Sequence, residues 1–162
     1  MSKIEGFRLP RYKEIPAVGL YLDQTAKYIN GYLQPLGCME ITTSMISNYV
    51  KQGLISKPIG KQYYVDHIAH LIFITIAKSV LSMENIALLF KFQKKVYTDQ
   101  VAYDYFCSEL ENMLYFIFGL KDNVDNIGST ASTEKETLRS LIIAVANIIY
   151  LSHSFERLKE NE

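Results

Sequence analysis

The chain reads as a mainly α fold: a small helix–turn–helix unit with a short β wing, followed by a C-terminal helical bundle. Three observations predict it. Apolar residues recur at helical spacing over most of the 162 residues. Two prolines, Pro10 and Pro16, confine extended backbone to one segment near the start. The stretch Thr42 to Ile68, TTSMISNYVKQGLISKPIGKQYYVDHI, runs through a capped helix, a glycine stop, a compact turn and a new helix start.

The elements follow in order. Residues 1–22 form an extended arm, whose Phe7, Leu9, Tyr12, Ile15, Val18 and Leu20 are placed to lie along the body. Asp23 is the expected N-cap of a first helix that buries Ala26, Ile29, Tyr32 and Leu33 and stops at Pro35 and Gly37. Thr42 or Thr43 caps the second helix. Met45, Ile46, Tyr49 and Val50 share its inner stripe, while Ser44, Ser47, Asn48 and Lys51 share the opposite one. Gly53 supplies the left-handed residue after that helix. Ser56 to Gln62 is a short turn carrying Lys57, Pro58, Gly60 and Lys61, Tyr63 to Val65 is a short strand, and Asp66 caps helix three.

Helix three, about His67 to Leu81, is apolar nearly all round and belongs at the centre of the fold. Ser82 starts a fourth helix ending in Lys91, Lys94 and Lys95, and Thr98 a fifth that runs to Leu120. The polar stretch Lys121 to Ser132 is expected to be mobile. Thr133 and Glu136 form a capping-box pattern for a last helix to about Lys159. The domain reading is therefore residues 1–22 as arm, 23–95 as the winged unit and 96–162 as an effector or dimerisation region.

Net charge is zero, but it is unevenly spread. Residues 1–95 hold 12 Lys+Arg against 6 Asp+Glu, and residues 96–162 hold 5 against 11. That asymmetry points to a half that faces nucleic acid. Packing of the two halves on each other, or on a second copy, is the plainer explanation. Cys38 and Cys107 are too few and too far apart for a disulfide framework, which fits a reducing cytoplasm. The N-terminus lacks the apolar core of a signal peptide. The apolar run Leu141 to Leu151, interrupted by Asn147, is short of the roughly 20 residues a bilayer span needs and reads as a buried helix.

The candidate chemistry lies in the Thr42 to Ile68 unit. No Asp or Glu occurs between Glu40 and Asp66, whereas Lys51, Lys57 and Lys61 all do. A helix entering a DNA groove needs an acid-free face and short polar side chains. Thr43, Ser44, Ser47 and Asn48 provide them, and asparagine pairs directly with adenine. Lys57 and Lys61 would contact flanking backbone, and Tyr64 would bring its hydroxyl to a phosphate. A solvated helix face followed by an ordinary polar turn has the same spacing.

The order of Ile41, Thr43, Ile46, Tyr49, Gly53, Leu54, Pro58, Tyr64, Asp66 and Ile68 resembles the opening of the MerR-like winged helix. More closely, RLPRYKEIPAVGLYLDQ (8–24), TTSMISNYVKQGLI (42–55) and KQYYVDHIAHLIFI (61–74) resemble a bacterial family catalogued as a domain of unknown function, eighteen thirty-six. The resemblance covers most of the first 95 residues and brings no assigned activity. The winged-helix likeness implies double-stranded DNA as partner. Ser47 or Asn48 stands where that pattern has a basic residue, and the wing is shorter and lacks arginine. One copy would then bind weakly, and a homodimer would restore affinity through two half-sites. The last two helices are the expected dimer element.

Other constellations weigh less. His67 and His70 are three apart, but only Asp66 is near them at ligand spacing, so no metal or other cofactor is expected. Tyr97, Tyr103, Tyr105, Phe106, Tyr115, Phe116 and Phe118 would suit a pocket for a small-molecule effector, or a core. Asp99 with Asp104 and Glu109 with Glu111 read as a solvated face. No Gly-rich phosphate loop, Ser-His-Asp arrangement or zinc motif is present, which speaks against an enzyme. Two readings remain: a DNA-binding transcriptional regulator, and a helical protein–protein interaction module that does not bind DNA.

Overall fold

The computed structural model describes residues 3–123 and 132–162. Most of the Lys121 to Ser132 stretch therefore lies outside the described residues. The described part is mainly α, with α1 (Leu22–Leu33), α2 (Thr43–Lys51), α3 (Val65–Ala77), α4 (Met83–Val96), α5 (Asp99–Ile117) and α6 (Thr133–Glu160). Short 3-10 turns at Tyr12–Glu14 and Gln34–Leu36 punctuate the arm and the α1–α2 connection.

α3 is the centre. Nine of its residues are buried, from His67 to Ala77, and it packs against α1, α5 and α6. An apolar circumference leaves a helix no stable place except inside others. α5 and α6 form the most extensive helix pair. Leu141, Ile142, Val145, Ala146 and Ile149 of α6 are buried there.

Several start signals act one position away from where the sequence suggests. Thr42 caps α2 as expected, accepting the Met45 N–H at 3.1 Å. Ser82 and Thr98 do the same for α4 and α5. α1, however, starts at Leu22. Asp23 lies inside its first turn, and the Gln24 carboxamide oxygen accepts the Tyr21 N–H at 2.9 Å. At α3 the cap is not Asp66 but His67, whose Nδ1 accepts the Tyr64 N–H at 2.9 Å. Asp66 is left to accept the Tyr12 hydroxyl at 2.6 Å, a bond that pushes the Tyr12 phenol up to about 12. Ser132, not Thr133, caps α6.

The β wing is a second correction. Among the described residues there is no strand, only two isolated antiparallel bridges, Leu20 with Tyr63 and Ile59 with Gln62. The Ile59–Gln62 bridge closes a two-residue turn with Gly60 at φ 58° and Lys61 at φ 64°. Positive φ at both central residues is the type I′ hairpin geometry. The stretch after it pairs once with the arm, Leu20 and Tyr63 exchanging both backbone bonds at 2.9 and 2.7 Å. Gly19 permits that approach, since a Cβ there would lie 2.6 Å from the Gln62 Cβ.

The arm is extended, but it is not an appendage. Ile4, Phe7, Leu9 and Ile15 are buried, whereas Val18 points outward and is 72% exposed. Extended backbone beside a helix has no ladder to satisfy its N–H groups, and α5 side chains take them instead. Glu111 accepts the Leu9 N–H at 2.8 Å and both guanidinium nitrogens of Arg11 at 2.7 Å. Asp104 accepts the Tyr12 N–H at 2.8 Å, and the Tyr103 hydroxyl donates to the Pro10 carbonyl at 2.6 Å. The Tyr115 hydroxyl donates to the Phe7 carbonyl. Asp104 and Glu111, expected on a solvated face, therefore hold the arm. The carboxylate of Glu111 raises the Arg11 pKa further above its already high ordinary value.

α6 also departs from expectation. It has 28 residues and is long and apolar enough, by length and composition, to cross a membrane. It is buried along one side only: Tyr150, Leu151, Phe155 and Leu158 are exposed on the other.

Two stability effects follow. Glu111→Ala strands the Leu9 N–H and a half-buried guanidinium, and should lower unfolding free energy by about 2–4 kcal/mol in urea titrations. Glu109 is 1% exposed, and its Oε2 has no hydrogen-bond partner among the described residues. Burial raises its pKa, so the folded state holds that proton more tightly than the unfolded chain does. Its contribution is most favourable below the ordinary carboxylate pKa and is lost as pH rises through the raised one. Glu109→Gln should therefore raise the thermal midpoint at pH 7, and the gain should vanish below about pH 4 in melts across that range.

Candidate nucleic-acid interface

α2 ends in a Schellman arrangement. The Leu54 N–H bonds the Tyr49 carbonyl at 2.9 Å, the Gly53 N–H bonds the Val50 carbonyl at 3.0 Å, and Gly53 takes φ 76°. Ile46 and Tyr49 are buried beneath the helix, with Met45 and Val50 at the edges of the buried stripe. That packing fixes which residues look outward. Thr43, Ser44, Ser47, Asn48 and Lys51 line one open depression of about 360 Å³, together with Leu22 from the start of α1. Ser44, Ser47, Asn48 and Lys51 are thus brought together on one face as the spacing predicts, and Thr43 joins them.

Lys57 and Lys61 are exposed, but on the turn beyond the helix and outside that depression. The base of the turn is held by His67. With Nδ1 accepting from Tyr64, Nε2 carries the proton and donates to the Lys57 carbonyl at 3.0 Å. Both ring nitrogens are committed, so His67 is a brace and not half of a metal pair. Among the described residues no group of three metal-ligating side chains is gathered.

Tyr64 is placed differently from the expectation. Its hydroxyl donates to the Gln62 carboxamide oxygen at 3.1 Å, and its ring stands where a Cβ on Gly19 would come within 2.9 Å. It is half-buried and serves the seam between arm and turn. Tyr63 is buried beside it.

The electrostatics of the face are simple. The described ion pairs join Arg8 with Glu14, Arg11 with Glu111 and His70 with Asp99. Among the described residues no carboxylate pairs with Lys51, Lys57 or Lys61. Lys78 is a cation that sequence reasoning missed. It stands half-buried at the C-cap of α3, its Nζ 3.3 Å from the Met45 sulfur on α2, and burial lowers its pKa. The available signal was a single lysine at the end of the apolar run ITIAKSV.

Much of the aromatic series is used in packing among the described residues: Tyr103 and Tyr115 bind the arm, Phe106 meets Phe73 edge to face in the core, and Phe118 meets Tyr150 and His153 of α6.

Lys61 is the one non-glycine residue at positive φ among the described residues. A left-handed conformation costs an ordinary side chain about 1–2 kcal/mol, and asparagine bears it better. Lys61→Asn should therefore stabilise the fold by about 0.5–1 kcal/mol, read as a raised urea midpoint at unchanged slope.

No curated protein and no solved structure matches the chain. A family model does match, over residues 10–112. The matched stretch begins in the arm, takes in the α2 face and the turn, and ends one residue after Glu111, so it contains both partners of the Arg11–Glu111 latch. The chain belongs to the family described as Domain of unknown function (DUF1836).

Proposed function

We propose that this protein is a cytoplasmic DNA-binding transcriptional regulator whose α1–α2 pair and following turn act as a MerR-like winged helix-turn-helix. α2 is the recognition helix. Thr43, Ser44, Ser47 and Asn48 face base edges and phosphates in the major groove, and Lys51 borders them. Lys57 and Lys61 reach the flanking backbone from the turn.

The observation that carries this reading is the union of shape and charge. One outward face of short polar side chains is followed by lysines that no carboxylate pairs with among the described residues. Polar short side chains let a helix backbone approach a duplex closely, and unpaired lysines gain most from phosphate. The turn carries three exposed polar or charged residues, Ser56, Lys57 and Lys61, and no arginine. Affinity of one copy should be modest on that count. A homodimer would present two such faces to two half-sites, and the outward apolar residues of α6 are the surface on which a second copy would pack.

That same α6 face favours the second reading, a helical protein–protein interaction module. The two separate cleanly on salt. Binding through phosphates weakens steeply as counterions compete, and burial of Leu151, Phe155 and Leu158 against a protein would not.

The test is fluorescence anisotropy of a labelled mixed-sequence duplex at low and near-physiological salt. The wild-type protein should bind with a steep salt dependence. Lys51, Lys57 and Lys61 changed together to Glu should lose binding by more than tenfold with the circular dichroism spectrum retained. Absence of binding at low salt, or binding unaffected by the triple change, would refute the regulator reading.

A further inference from the structure

Where α2 hands over to the turn, a second and smaller depression opens, of about 130 Å³, lined by Gly53, Leu54, Ile55, Ser56, His70, Phe90 and Lys94. It joins three elements that are distant in sequence: the end of α2, the middle of α3 and the last turn of α4. Two of its side chains, Lys94 and Ser56, can donate hydrogen bonds into it. Lys94 is exposed, and no carboxylate pairs with it among the described residues. Ser56 is exposed, and neither its hydroxyl nor its backbone N–H makes a protein hydrogen bond among the described residues. The N–H groups of Leu54 and Ile55 are used by Tyr49, so they shape the floor without offering themselves. Asp99 lies 3.3 Å from His70 Nε2, and Phe90 packs at a tilt against the same imidazole, ring centroids 4.9 Å apart.

A cation, a free hydroxyl and a free N–H around a small open hollow are complementary to a tetrahedral oxyanion. Position says which one. The hollow begins at Gly53, two residues after Lys51 at the C-terminal end of α2, so a backbone phosphate beyond the groove contacted by α2 would meet it. Lys91, one turn back on α4, extends the same edge. Lys95 is held differently, over the Phe92 ring at 5.6 Å.

We propose that the hollow between Ser56 and Lys94 is a second phosphate-binding site, which takes a DNA backbone phosphate adjacent to those reached by Lys51 and Lys57. This rests on the DNA-binding reading and adds α4 to the footprint. A phosphate contact adds affinity for every sequence alike and contributes a fixed increment to the salt slope.

The experiment compares wild-type protein with Lys94→Gln, Ser56→Ala and, as reference, Lys51→Gln, in duplex titrations at several salt concentrations. Lys94→Gln should lower the magnitude of the slope of log Kd against log salt by about 1. It should weaken mixed and preferred sequences by the same factor. The thermal midpoint should stay close to wild type, because Lys94 is exposed. Ser56→Ala should weaken binding severalfold with little change of slope. An unchanged slope in Lys94→Gln, with a lowered slope in Lys51→Gln, overturns this inference and leaves the regulator reading standing. A wild-type protein that binds no duplex at low salt overturns both. A parallel NMR titration with inorganic phosphate separates the sources. Shifts at Ser56 and Lys94 that saturate with phosphate, but that duplex leaves unmoved, would show a free-anion site and contradict the backbone assignment.

Discussion

Glu111 holds three donors of the N-terminal arm at once, and the rest of the architecture depends on that clasp. Pro10 has no N–H, and the residues around it are extended beside a helix, so the arm cannot satisfy itself. α5 supplies the acceptors. With residues 7–15 fixed on α5, the chain emerges at Gly19 and Leu20 in position to pair with Tyr63. That pairing seats the turn that follows α2. A carboxylate in the C-terminal half thereby helps to position a basic surface in the N-terminal half, about 50 residues of chain away on either side. The separation of charge along the sequence is partly internal for this reason. Asp104 and Glu111 are spent on the arm and Asp99 on His70, while Lys51, Lys57, Lys61 and Lys94 have no carboxylate partner among the described residues.

The local code of the helices was largely legible. Thr42, Ser82 and Thr98 cap where hydroxyls precede periodic apolar residues, and Gly53 stops α2 as a left-handed C′ residue must. The inner stripe of α2 follows directly from 3.6-residue spacing, and so does its outer face. The displaced caps of α1 and α3 have one cause. Gln24 and His67 reach back to backbone N–H groups from three residues inside their helices, and residue-type preferences favour the more familiar Asp23 and Asp66 instead.

Long-range partners were not legible. Nothing local in Glu111 or Asp104 distinguishes a latch from a solvated acid, since the distinction lies about 100 residues away in the arm. The surroundings of Tyr64 were hidden for a similar reason. Its hydroxyl is taken by Gln62, and its ring by the close approach of Gly19, which only the folded arm brings there. The wing shows the limit of strand propensity in short segments. Tyr63 makes one bridge, to the arm, and no neighbouring strand extends it. Lys94 and Ser56 could not be associated from sequence either, because α3 and α4 intervene.

Native-state hydrogen exchange read residue by residue tests the central claim, that the arm is an integral part of the fold that seats the α2 face. The account predicts that the amides of Leu9, Tyr12, Leu20 and Tyr63 exchange only with the buried amides of α5, through the same global opening. Exchange of these four amides by a separate opening of much lower free energy, with α5 still protected, would show the arm to be an appendage and would contradict the account.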